Sequence, residues 1–139
     1  TIVVPAFYIE VPSFGLSAGE NKNLILEGLE DRVMEIEGID KIYGVAGDHF
    51  TGLMVQFEVG IEKEAAKIRL LQKVSEIQDI KASIKAIDPD ELPQISYALS
   101  LSKKNTLSEN EAAIYLRSIA LRIEESLRTL PNLTTMELV

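Results

Sequence analysis

The chain has one histidine, His49, in a turn that reads Asp48-His49-Phe50. An imidazole beside a carboxylate could be the start of a general base. A triad also needs a nucleophile, and a metal shell needs further ligands. With no cysteine and no second histidine, a solvated turn residue is the simpler reading. Asp88, Asp90 and Glu91 could offer oxygens to a cation. Their spacing lacks the glycine and the distal glutamate of a calcium loop, so an exposed linker is simpler there too. Glu30, Asp31, Glu35 and Glu37 fall on a helix and read as its wet face. Gly44 and Gly47 do not open a helix as a phosphate-binding loop would. No catalytic group, no metal and no cofactor is expected.

The charge balance narrows the partners. Among 139 residues, 22 are acidic and 14 basic, a net charge of -8. Phosphate binding needs clustered Lys and Arg, so nucleic acid is not expected. The absence of cysteine excludes disulfides and thiolate chemistry. No run approaches the ~18 apolar residues of a membrane span, and no basic stretch leads into an apolar one as in a signal peptide. A chain that opens at Thr1 and stops at Val139 is expected to be a piece of a longer protein.

The elements follow from periodicity. Residues 2–11 read as a strand with Phe7, Ile9 and Val11 on one face and Pro5 either at its start or on a sheet edge. Ser17-Ala-Gly-Glu20 is a capping box. It opens a helix to about Glu37 whose stripe is Ile25, Leu29, Val33 and Ile36, widened by Leu26 and Met34, and Gly38 stops it. A strand over 39–45 and a hairpin turn lead to the most regular stretch, residues 51–59. There Leu53, Val55, Phe57 and Val59 alternate with Met54, Gln56 and Glu58. From Ile61 the period becomes helical, and Ala66, Leu70, Val74 and Ile77 share a face over 62–79. A fourth strand is expected over 80–87.

Asp88-Pro-Asp-Glu-Leu-Pro93 is the one convincing linker. Beyond it, Ile95, Tyr97, Leu99 and Leu101 alternate with Ser96, Ala98, Ser100 and Ser102, which predicts a strand over 94–102. Ser108-Glu-Asn-Glu111 is a second capping box, before a helix with Ala112, Leu116, Ile119, Ile123, Leu127 and Leu130 on one face. Pro131 ends it, and a strand is expected over 133–139. The fold class is therefore α+β. Residues 1–87 form a ferredoxin-like βαββαβ sandwich, 88–93 a linker, and 94–139 a βαβ half-domain. A half sheet leaves its edges unpaired, so two copies of 94–139 are expected to complete each other as a homodimer.

In this order the residues resemble the periplasmic porter region of resistance-nodulation-division efflux transporters, the acriflavine-resistance type. The resemblance is carried by the Pro-led strand Val4-Pro5-Ala-Phe-Tyr-Ile-Glu-Val11. Gly15 and Ser17 stand where the family commonly shows Tyr-Pro-Gly-Ala-Ser. Next come Leu29-Glu30, Ile36-Glu-Gly38-Ile39, Phe57-x-x-Gly60 and Glu64-Ala65-Ala66. After the linker, Thr106-Leu-Ser-Glu109 opens a helix ending Leu130-Pro-Asn-Leu133, where the family usually has Gly-Val. Residues 1–87 then resemble the first porter subdomain and 94–139 the first half of the second.

The resemblance implies a periplasmic portion of an inner-membrane protein in a Gram-negative bacterium. It implies a trimer driven by protons that pass elsewhere in the protein, and export of drugs, metals or lipids. Its partners would be the rest of the protomer, its trimer neighbours, a periplasmic adaptor, an outer-membrane channel and small hydrophobic or amphiphilic substrates. Substrate contacts in the family come partly from the open sheet face of the second subdomain. Alternation places Gln94, Ser96 and Ala98, with Thr135, Glu137 and Val139, on that face. An ordinary sheet face covered by neighbouring subdomains is the competing reading of those six residues.

Two other classes share the topology. A regulatory small-molecule-binding domain of the ACT type needs a Gly-rich first strand–helix turn, of which Gly15 and Gly19 are a weak version, and it leaves 94–139 unexplained. An acylphosphatase-type enzyme needs an arginine in that turn to hold phosphate, and Ser13-Phe-Gly-Leu-Ser17 has none. Fold alone does not choose among the three.

Overall fold

A computed structural model describes residues 4–104, 108 and 111–118. Four strands, β1 (Ala6–Pro12), β2 (Ile39–Gly47), β3 (Phe50–Phe57) and β4 (Ser83–Ala86), form one antiparallel sheet in the order β2-β3-β1-β4. This is the ferredoxin-like order, with the first strand inside the sheet. Phe7 pairs with Val55, Ile9 with Leu53 and Val11 with Thr51, so these side chains of both strands share one face, apolar except at Thr51.

That face is covered by helices. Ser17 caps α1 (Ala18–Asn21), with Glu20 N–H donating to its Oγ and its own N–H donating to Glu20 Oε1 at 3.1 Å. A π-helical turn, Lys22–Leu26, then runs straight into α2 (Glu27–Met34). The buried positions explain the turn. Asn21, Leu26, Leu29 and Val33 all face inward, and the first gap is five residues, too wide for an α-turn. The Glu27 N–H accordingly donates to the Lys22 carbonyl. Gly38 then turns the chain with φ +96°, a region that favours glycine.

The helix α3 (Lys63–Ser75) buries Ala66, Leu70 and Val74. Lys73 joins it to the end of α2, lying 3.1 Å from Glu35 and 3.5 Å from Glu76. Beneath both helices, Phe7 and Phe57 meet edge to face with centroids 6.0 Å apart. Leu29 belongs to the same buried cluster.

Some boundaries differ from expectation. The third strand stops at Phe57, so Val59 lies beyond the core and is exposed, and Met34 points outward as well. The larger correction follows the linker. Pro89–Glu91 forms a 3₁₀ turn, and the strand expected over 94–102 is a helix, α4 (Leu92–Lys103). The stretch supports both periods, since Leu92, Ile95 and Ala98 also recur at helical spacing. A strand needs a ladder partner, whereas a helix satisfies its backbone within itself.

As a helix, this stretch also buries Ile95 on the second face of the sheet. A further helix lies over 111–118, α5, and the Ser108 Oγ accepts from its Glu111 N–H at 3.1 Å. Ala112, Ala113 and Leu116 join Ile95 against Ala6, Tyr8, Val45, Phe50, Met54 and Ile87. Both faces of the sheet are thus covered, and Ala6 to Val11 are all buried. The sheet-completing homodimer expected from 94–139 has no strand at 94–102 to build with. The rest of the expected long helix and the strand over 133–139 lie outside the described residues.

Candidate functional site

Two polar groupings stand out against this apolar frame. The first ties the β1–α1 loop to the β2–β3 turn. Ser13 N–H donates to the His49 carbonyl and His49 N–H to the Leu16 carbonyl, both at 2.8 Å. The Gly15 N–H donates to His49 Nδ1 at 3.0 Å, and the Ala18 N–H to Asp48 Oδ1 at 3.0 Å. Buried Asn21 donates to the Gly47 carbonyl at 2.8 Å.

Asp48 therefore caps a helix and does not orient the imidazole. His49, at φ +69°, holds the turn and stacks on Phe14 with centroids 5.5 Å apart. The acid–base pair that Asp48 and His49 could have formed is taken up by two separate structural contacts.

The second grouping lies on the opposite sheet face. Tyr8 and Glu10 stand two residues apart on β1 and so point the same way. Glu10 is only 3% exposed, the one buried carboxylate among the described residues. The Tyr8 hydroxyl donates to Glu10 Oε1 at 3.0 Å, and Arg117 Nε of α5 lies 3.4 Å from the same oxygen. The guanidinium also covers the Phe50 ring, 5.1 Å from its centroid. Burial first, and then the charge of Glu10 and its hydrogen bond, push the Tyr8 hydroxyl well above the ordinary tyrosine range. Tyr8 thus stays protonated and remains a donor. An acid with a fixed donor, an aromatic wall and a cation can bind and orient charge.

The residues expected along a substrate route separate. Gln94, Ser96 and Ala98 lie on α4 rather than on a sheet face. Gln94 and Ser96 are exposed, and Ala98 is buried. On a helix Ser96 diverges by roughly 200° from Gln94 and from Ala98, which lie one turn apart, so the three do not line one face as alternation on a strand would have them. Gln94 instead accepts from the Tyr115 hydroxyl at 3.3 Å. Thr135, Glu137 and Val139 lie outside the described residues. In the linker, Asp90 N–H donates to Asp88 Oδ1 at 3.0 Å, and both residues are exposed. No cluster of acids and histidines is placed to hold a metal among the described residues.

Two further features escaped the sequence reading. A groove of about 400 Å³ lies between α2 and the end of α3, lined in part by Leu24, Ile25, Leu29, Arg32, Glu76 and Ile77. Glu10 was legible only as a polar residue in an apolar strand. Its pairing with Arg117, more than a hundred residues away, leaves no local signal.

The fold defines a ferredoxin-like α+β sandwich with a buried acid on its second face. No protein-family model and no curated protein sequence matches the chain. Among solved structures, a crystal structure of a heavy metal efflux pump matches 58% of this chain, with a TM-score of 0.55 and 19% identity. The match covers 9% of the pump chain. At that identity the likeness is one of fold. No helix among the described residues is long and apolar enough to cross a membrane.

Proposed function

We propose that residues 1–87 are a porter subdomain of a proton-driven efflux pump of the resistance-nodulation-division type. The observation that supports this best is the fold shared with part of a heavy metal efflux pump. The ordered pattern from Pro5 to Glu64-Ala65-Ala66 agrees with it from an independent direction. In this reading the chain lies on the periplasmic side of the inner membrane, within a trimer that meets an adaptor and an outer-membrane channel. Its role is mechanical and non-catalytic. A sandwich with a continuous core moves as a rigid body, the element that a cycle of domain rotations requires. Its surfaces then wall part of the route taken by small hydrophobic or amphiphilic molecules, or by heavy-metal cations.

The test is made on the parent gene. Its flanking sequence should encode hydrophobic spans on both sides. Its deletion should raise sensitivity to some of a panel of dyes, detergents and heavy-metal salts, and re-expression should restore resistance. A parent gene that joins this chain to a soluble enzyme, with no change in sensitivity on deletion, would overturn the reading in favour of a regulatory domain. The isolated chain should show no hydrolase or phosphatase turnover. Turnover abolished by His49→Ala would refute the non-catalytic role.

A further inference from the structure

The Tyr8–Glu10–Phe50 grouping belongs to the sandwich, and only its cation comes from α5. Tyr8 and Glu10 are on β1, and Phe50 is on β3. Glu10 pairs across the sheet with Gly52, and a Cβ at Gly52 would lie 2.6 Å from the Tyr8 hydroxyl oxygen. The bare glycine lets the ring lie flat and its hydroxyl reach the carboxylate. The strands alone thus supply an anion, a donor that fixes it and an aromatic wall. Arg117 brings the cation from α5. Its side chain is 44% exposed, whereas that of Glu10 is 5% exposed, so the cation is reachable from solvent and the anion is not.

We propose that Tyr8, Glu10 and Phe50 form a binding seat for a planar organic cation of the guanidinium or amidinium class, held shut in this chain by the side chain of Arg117. This class fits for three reasons. A planar delocalised cation can stack on Phe50 while an N–H points at Glu10. It is more weakly hydrated than an ammonium, so it enters a buried site with less desolvation. The chain's net charge of -8 also attracts cations generally. Arg117 shows the pose. A free cation that takes the seat competes with Arg117 and loosens α5 from the sheet. The seat stands on these contacts alone and does not depend on the efflux reading.

The test uses the full 139-residue chain, ¹⁵N-labelled, titrated with ethylguanidinium chloride against ethylammonium chloride at equal ionic strength. In Arg117→Ala, ethylguanidinium should shift the Tyr8 and Gly52 amide signals saturably and raise the thermal midpoint, while ethylammonium does neither. The unaltered chain should need ~tenfold more for the same shift, about 1.4 kcal/mol of competition. Adding Glu10→Gln to Arg117→Ala should abolish the response. If Arg117→Ala does not fold, Arg117→Lys keeps the charge without the planar fork, and ethylguanidinium should displace its ammonium with the same signature. No saturable shift in the folded variant, an equal response to ethylammonium, or a response that survives Glu10→Gln would each overturn the seat.

Discussion

The Tyr8 hydroxyl reaches Glu10 Oε1 at 3.0 Å along the same strand, and it does so over the bare backbone of Gly52 on the neighbouring strand. The two side chains share a face because they are two residues apart. Glu10 can be buried there because Tyr8 and Arg117 both meet its carboxylate.

Gly52→Ala tests that clearance. The added methyl would crowd both the hydroxyl and the ring of Tyr8. Overpacking of this kind should cost ~1–3 kcal/mol in urea unfolding. A cost near zero would show that the ring can move aside without loss.

Thr51→Val should stabilise the chain. Thr51 is fully buried, and its hydroxyl has no hydrogen-bond partner among the described residues. Valine keeps the shape and removes a group that costs about 1–3 kcal/mol when left unbonded. A gain of ~1 kcal/mol is expected in the same measurement. A loss would reveal a bond to that hydroxyl in solution.

Truncations should separate the core from its margins. Phe57→Ala should cost ~3–5 kcal/mol and Leu29→Ala ~2–5 kcal/mol, because both side chains are buried in one cluster. Val59→Ala and Met34→Ala should change stability by less than about 0.5 kcal/mol, because both side chains are mostly exposed. Equal costs at Phe57 and Val59 would place the strand end wrongly.

Glu30 predicts a pH dependence. Burial, and then repulsion from Asp31 and Glu27, raise its carboxyl above the ordinary range. The folded chain therefore holds this proton more tightly than the unfolded chain. The contribution of Glu30 to stability falls as pH rises through the interval between the two values. Glu30→Gln should raise the thermal midpoint at pH 7, and the gain should vanish below about pH 3, where the carboxyl is neutral in both states. A gain that is constant across the pH range would assign the effect to packing.

Much of the sandwich was legible in the chain because its causes are local. The Ser17 and Glu20 side chains cap a helix through groups three residues apart. Gly38 supplies the positive φ that turns the chain into the second strand, although the helix itself ends at Met34, short of the expected Glu37. The alternation of Leu53, Val55 and Phe57 places one face of a strand against helices whose stripes carry Leu29, Val33, Ala66 and Leu70. Together these imply a four-stranded sheet with helices on one side.

The second face could not be read in this way, because its causes lie far apart in sequence. Gln94 to Ser102 fits two periods equally well, and contact with the sheet through Ile95 settles the stretch as a helix. The π-turn at Lys22–Leu26 follows from where Asn21 and Leu26 must both meet the core. Asp48 and His49, adjacent in sequence, turn to different partners on the first loop. Glu10 finds its cation only when α5 lies across the sheet, because a buried charge is stabilised by the group the fold brings to it, whatever the distance along the chain.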